Sequence, residues 1–436
     1  MKNATKSRFW VALVIFSLIG QIAWVIENMY FNVFIYKMFN ADAAAISAMV
    51  SASATAATLT TVFVGALSDK IGKRKLFICG GYILWGISIS AFSLLRLEVI
   101  SALFPAAASA AAVGVSLVIV LDCVMTFFGS SANDACFNAW LTDSTESGNR
   151  GAAEGVNSMM PLIAILAVFG GFMAFDLDKA ESWTAIFLII GVTVTVIGLL
   201  GIWLIKDAPH VTKSEGGVFA NVFYGFRPSV IKVNPLLYFA LGGFALFGIS
   251  IQIFMPYLII YYESSLQMSD YVLIMAPAII IASIVTAFYG RVYDKVGFGK
   301  AIIAPMAMLG IGYVLLFIFK TTLPVFVGSL FMMCGYLTGA AVFGAVIRDC
   351  TPVGKSGRFQ GLRIVAQVLI PGVVGPAISK EVLKNAQQIL NSDGTYSFLP
   401  NKNIFLAALI AAAVVCIYLA FYKTVKKAPA GEVQNG

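Results

Sequence analysis

The stretch Asp143-Ser-Thr145-Glu-Ser-Gly148-Asn-Arg150-Gly-Ala-Ala-Glu154-Gly155 reappears, altered, as Asp349-Cys-Thr351-Pro-Val-Gly354-Lys-Ser-Gly-Arg358-Phe-Gln360-Gly361. Asp, Thr, Gly, an acid or its amide, and a closing Gly keep their offsets. A second pair lies upstream of each copy: Gly65-Ala-Leu-Ser-Asp69-Lys-Ile-Gly72-Lys-Arg74-Lys75 and Gly290-Arg-Val-Tyr-Asp294-Lys-Val-Gly297-Phe-Gly-Lys300. The order is the same in both halves, so the chain is an internal duplication. In a membrane protein, two related halves are the plan of a transporter.

Composition supplies the membrane. The chain is 60% hydrophobic and 11% charged, with a mean hydropathy of +0.90. A soluble chain of 436 residues needs far more charge to cover its surface. The apolar runs are continuous rather than alternating, which excludes a β-barrel and predicts an all-α polytopic membrane protein. Twelve spans are predicted, near 10–36, 44–68, 74–95, 111–142, 153–175, 183–205, 236–262, 270–292, 301–319, 324–347, 358–380 and 403–423. They form two pseudo-symmetric six-helix bundles, 1–206 and 235–436, joined by a cytoplasmic linker, 207–234. The run that follows Lys2, Lys6 and Arg8 is too long for a signal peptide and carries Glu27, Asn28 and Asn32, so it reads as a retained first helix. Pro161, Pro256, Pro277, Pro371 and Pro376 fall inside spans, where proline removes a backbone bond and permits a kink.

Charge sets the orientation. One set of alternating loops holds 21 Lys and Arg residues and the opposite set holds seven. The bias places both termini in the cytoplasm of a multi-pass protein of the cell inner (plasma) membrane. It also accounts for the net charge of +8 by attraction to anionic lipid, with no nucleic acid as partner. The six cysteines show no paired spacing and the single His210 lies in a polar loop, so no metal and no cofactor are expected. A membrane enzyme would need a nucleophile–base pair or a metal cluster, and the sequence presents neither.

The turn Gly65 to Lys75 resembles the signature loop of the major facilitator superfamily, and its degenerate copy falls where that superfamily repeats it. The stretch Ser131-Ala-Asn133-Asp134-Ala-Cys-Phe-Asn138-Ala-Trp-Leu-Thr-Asp143, with the Gly-Asn-Arg150-Gly that follows, resembles the fourth helix and loop of the glycoside–pentoside–hexuronide cation symporters and the related sucrose carriers. Gly357-Arg358-Phe-Gln360-Gly361-Leu-Arg363 resembles the start of their eleventh helix. The resemblance implies a twelve-helix carrier that moves a sugar or glycoside by alternating access. It also implies that Asp134 matches the fourth-helix acid used for sugar binding by melibiose-type carriers. One departure stands out. Those carriers bind sodium with two second-helix aspartates, and Ser51 to Val64 here holds only uncharged residues. Their eleventh-helix lysine also has no equivalent in Val368–Val374. Sodium coupling is therefore not expected, and protons remain.

Charge in hydrocarbon costs roughly 3 kcal/mol or more, so each ionisable residue within a span is a functional candidate. Glu27 is flanked by Trp24, Asn28 and Asn32. An aromatic ring covers an apolar sugar face while carboxylate and amides bond its hydroxyls. Spacing of i, i+4 puts Asn28 and Asn32 on one helix face. Asp134, with Asn133 and Asn138, is the leading substrate contact, and Tyr257 and Gln367 are candidates for the opposite wall, beside Gln252 and Tyr261. Asp122, Asp134 and Glu27 are the candidate proton carriers; Asp122 reads equally as a residue near the outer vestibule. Arg363 either snorkels at the inner edge or pairs with an acid of the first or fourth helix. Asp69, Arg74, Asp143, Arg150, Asp294, Asp349, Arg358 and Arg363 form a candidate inner latch, the alternative being that the turns only fix topology. Proton-coupled uptake by a monomer is the leading reading. Transport of an amphipathic compound such as a lysolipid or drug, an uncoupled sugar facilitator and a non-transporting sensor remain as alternatives.

Overall fold

A computed structural model describes residues 2–145, 150–207, 223–268, 270–352, 356–390 and 396–427. His210 and most of the 207–234 linker lie outside the described residues. Eleven helices among those described are long and apolar enough to cross a membrane. They are α1 (Ser7–Phe39), α2 (Ala43–Ile71), α3 (Arg74–Leu94), α4 (Ala110–Asp143), α6 (Ala180–Leu204), α7 (Pro235–Ser265), α8 (Tyr271–Val296), α9 (Phe298–Ile318), α10 (Thr322–Cys350), α11 (Gly361–Leu383) and α12 (Asn403–Lys426). The helix Arg150–Phe172, here α5, holds the shorter apolar stretch Met159–Phe172 where the fifth span is predicted. Two three-residue strands, Gln388–Leu390 and Tyr396–Phe398, lie between α11 and α12.

Two compact units separate: Met1–Val218 with Asn391–Ser397, and Phe219–Leu390 with Phe398–Gly436. Helix pairing within each repeats. In the first unit α1 lies along α5, α2 along α4 and α3 along α6. In the second α7 lies along α11, α8 along α10 and α9 along α12. The duplication visible in the turns thus extends to the helix partners.

The helix termini follow from local chemistry. The Asp42 carboxylate caps α2 by accepting from Ala45 N at 2.8 Å. Gly72 and Gly297, the glycines of the paired turns, both have φ +71° and end α2 and α8. A side chain there would clash with the backbone, so glycine permits the reversal. Pro256 sits in a 3-10 turn, Met255–Tyr257, that interrupts α7. In lipid the hydrophobic effect does not press helices together; close packing of small residues does. The α3–α6 seam is of that kind. A Cβ added at Gly191 would lie 2.6 Å from both the Gly86 carbonyl oxygen and the Ser90 nitrogen. Outward-facing apolar side chains such as Leu76, Val120, Trp203, Phe288 and Ile417 are exposed, as lipid-facing residues are.

Four helices are wound wider than α. Ile26–Tyr30 in α1, Ser130–Phe137 in α4, Tyr261–Ser265 in α7 and Val365–Leu369 in α11 are π-helical. Each extra residue in such a turn re-aims the side chains around it. Glu27, Asp134, Glu263 and Gln367 all lie in these turns.

Candidate functional site

The first unit holds three acids within its first and fourth helices, two of them buried. Glu27 is 8% exposed and Asp122 is 1% exposed. Glu27 Oε1 accepts from Ser53 Oγ at 2.5 Å and from Thr126 Oγ1 at 2.9 Å, and the two hydroxyl oxygens are 2.9 Å apart. Asp122 lies close enough to Glu27 for their charges to interact. Among the described residues no Lys or Arg forms an ion pair with either acid. Burial without a countercharge makes these groups costly unless something positive is bound or a proton is held.

Asp134 is half-buried and accepts from Ser130 Oγ at 3.1 Å. It is the next acidic neighbour of Glu27. Asn133, 3% exposed, accepts from the Tyr82 hydroxyl at 3.1 Å and stands beside Asp134. Tyr82 OH also lies 2.7 Å from the Phe16 carbonyl, so its one proton serves either oxygen. Asn138 is exposed and donates to the Asp134 carbonyl at 3.2 Å.

Asn28 is exposed and donates to the Trp24 carbonyl at 2.7 Å, whereas Asn32 is 0% exposed and donates to the Asn28 carbonyl at 3.0 Å. The Trp24 ring packs against Trp85, tilted by 47° with ring centres 5.0 Å apart.

Polar atoms without partners are concentrated here. Six buried side-chain atoms on α1–α4 lack a hydrogen-bond partner among the described residues: Trp24 Nε1, Glu27 Oε2, Asn32 Oδ1, Thr61 Oγ1, Trp85 Nε1 and Asp122 Oδ1. Buried polar groups are almost always satisfied, and a set of exceptions marks a place where water, an ion or a ligand is taken up.

The latch candidates separate into a strong and a weak copy. Arg74, 5% exposed, pairs with Asp69 at 2.5 Å and with Asp143 at 3.2 Å, and donates to Ser68 Oγ at 2.5 Å. At the matching positions of the second unit Ser68 is replaced by Tyr293 and Arg74 by Gly299. The Tyr422 ring fills the space a side chain at 299 would need. Tyr293 OH donates to Asp349 Oδ2 at 2.5 Å, while Asp294 is exposed. The side chains of Arg150 and Arg358 lie outside the described residues. In the second unit Tyr257 is 0% exposed with its ring 6.2 Å from Phe398, and Gln367 and Arg363 are half-buried.

Reasoning from sequence missed Ser53, Thr126, Ser68, Tyr82 and Tyr293. A hydroxyl among many in an apolar helix carries no sequence signal; its importance is set by what lies across the helix pair.

A sequence profile of the Major Facilitator Superfamily matches residues 9–376. No curated protein sequence matches the chain. Solved structures share its fold. A bacterial homolog of the human lysosomal transporter Spinster, inward-facing and unoccupied, superposes with a TM-score of 0.69 at 15% identity, covering 98% of each chain. A mutant of the nucleoside transporter NupG gives 0.68 at 12% identity, covering 96% of this chain and 99% of that one. The xylose transporter XylE from E. coli, partially occluded and inward open, gives 0.69 at 16% identity, covering 98% and 99%.

Proposed function

The chain belongs to the Major Facilitator Superfamily, and from that premise we propose that it couples proton movement to uptake of a sugar or glycoside. A secondary transporter, rather than an enzyme, is what the family and its structural neighbours indicate. Within that class we assign it to the glycoside–pentoside–hexuronide and sucrose-carrier group. The halves 1–206 and 235–436 rock about the 207–234 linker, with both termini on the cytoplasmic side of the plasma membrane.

One observation carries the reading: Glu27 and Asp122, buried in the first and fourth helices with the half-buried Asp134 nearby, and without an ion-pair partner among the described residues. Such a cluster is expensive as a structural element and useful as a site that loads and releases a cation. Asp134 is half-buried beside Asn133, and a carboxylate with an adjacent amide suits bidentate bonding to sugar hydroxyls. Glu27 and Asp122 then hold the coupling proton, and the Asp69–Arg74–Asp143 knot locks one access state.

The experiment is uptake of labelled sugars into proteoliposomes with and without an inward proton gradient. Accumulation that needs the gradient supports the proposal. Flux indifferent to the gradient reduces the protein to a facilitator. No flux of any sugar or glycoside under any gradient overturns the reading.

A further inference from the structure

We propose that the end of the first unit away from the Arg74 knot holds the headgroup of a zwitterionic phospholipid, with Arg96 taking its phosphate and Glu98 and Glu181 its primary ammonium. The site lies apart from the acid cluster and stands independently of the transport reading. A cavity of about 100 Å3 lies between the end of α1, the end of α3 with the loop that follows it, and the start of α6. One water needs only ~10–15 Å3 of such space, so the cavity takes a group of several heavy atoms. Phe34 and Trp183 supply an apolar part of its lining, and Arg96, Glu98 and Glu181 supply charge.

Three observations select the occupant. Arg96 has an unfinished fork: its Nη2 donates to Glu181 Oε1 at 3.0 Å, while its Nε is buried and has no acceptor among the described residues. A buried donor left unmade is costly, and the planar guanidinium edge is shaped for the oxygens of a phosphate. The balance of charge is the second observation. Arg96 against Glu98 and Glu181 leaves the cavity one negative charge in excess. The Lys37–Asp178 and Lys179–Asp176 pairs beside it are each neutral. A plain anion meets net repulsion there, whereas a group that carries phosphate and ammonium together matches both signs. The third observation is the surroundings. Leu94, Leu97 and Leu103, which flank Arg96 and Glu98 along the chain, are all exposed. Open apolar side chains interleaved with charged ones mark the level where headgroups meet acyl chains, so the occupant is a lipid rather than a dissolved phosphate ester.

The test is native mass spectrometry of the delipidated full-length chain in detergent. The chain is titrated separately with dioleoyl phosphatidylethanolamine, dioleoyl phosphatidylglycerol and free O-phosphoethanolamine. One phosphatidylethanolamine adduct is expected that saturates and survives activation that strips phosphatidylglycerol. Arg96→Gln should weaken that adduct by ~10-fold or more, the equivalent of one charge-assisted bond. Glu181→Gln removes the excess negative charge and should raise phosphatidylglycerol to the level of phosphatidylethanolamine. That exchange of preference is not produced by a merely structural role, and it carries the test if Arg96→Gln fails to elute as a single species. Lys320→Gln, an exposed base in another loop, serves as the control and should bind as the wild type does. Absence of a saturable adduct, equal retention of the two lipids by the wild type, or wild-type binding by Arg96→Gln overturns the site. Free phosphoethanolamine binding as tightly as the lipid overturns the lipid as its occupant.

Discussion

Replacing Arg74 with Gln keeps a polar side chain but removes the charge that three partners share. The Arg74 side chain is 6% exposed, whereas Asp69 is 42% exposed and Asp143 26%. Asp69 is open to water, so its pair contributes at most ~1 kcal/mol. Asp143 is better shielded and Ser68 is 0% exposed, so the bonds to them are the costly ones to lose. Charge-assisted bonds of this kind are worth roughly 1.5–3 kcal/mol each, and Gln recovers one neutral bond. Taking the exposed pair as up to ~1 kcal/mol, the two shielded bonds together as roughly 3–6 kcal/mol and the recovered bond as ~1 kcal/mol, the expected loss is about 2–6 kcal/mol. For a unit of this size each kcal/mol moves the unfolding midpoint by roughly 2–4 °C, which gives a fall of roughly 4–24 °C. The assay is thermal unfolding of the purified protein in detergent at one scan rate, because membrane proteins unfold irreversibly and the midpoint depends on rate. Arg74→Lys should recover only part of the loss, since an ammonium cannot serve a fork of oxygens as a guanidinium does. A midpoint for Arg74→Gln within ~2 °C of wild type would refute the knot as a stabilising element, since even the lower bound predicts about twice that shift.

Further outcomes follow from the same geometry. Tyr293→Phe removes one bond to an exposed carboxylate and should lower the midpoint by no more than ~4 °C, far less than the first-unit change. Gly191→Ala drives a methyl group into the Gly86 carbonyl, and overpacking of this kind costs about 1–3 kcal/mol, which the same melt would record. Glu27→Gln should leave exchange of labelled sugar across proteoliposomes measurable while abolishing its accumulation by a proton gradient. Retained accumulation would remove Glu27 from coupling. Asp134→Asn should abolish binding of the sugar that the wild type transports, read by ligand-induced quenching of tryptophan fluorescence.

The fold was legible because its signal is coarse. Long apolar runs and paired polar turns survive uncertainty of several residues at each helix end, and the repeated helix pairing follows from them. The Asp69–Arg74–Asp143 knot was legible as a group because its members lie in two conspicuous turns. The acid cluster was legible in its charged members and not in Ser53 or Thr126, whose neighbours are decided by how α1, α2 and α4 meet. The second-unit copy of the latch was recognisable by its spacing, yet its bonding pattern changed because Gly299 stands where the first unit has Arg74.

The four widened turns have a consequence for how the chain tolerates insertion and deletion. A π turn holds one residue more than the α turn it replaces, so it acts as slack in an otherwise tightly wound coil. Deleting one residue inside Ser130–Phe137 lets the backbone rewind to α and leaves the segments on either side facing nearly as before. A residue lost from the regular stretch Ala110–Gly129 meets no such slack, and everything on one side of the cut rotates by about 100° relative to the other. The widened turn thus marks where α4 tolerates the loss of a residue, and the α-helical stretch before it marks where the same loss would part Asp134 from the face that holds Asp122 and Thr126.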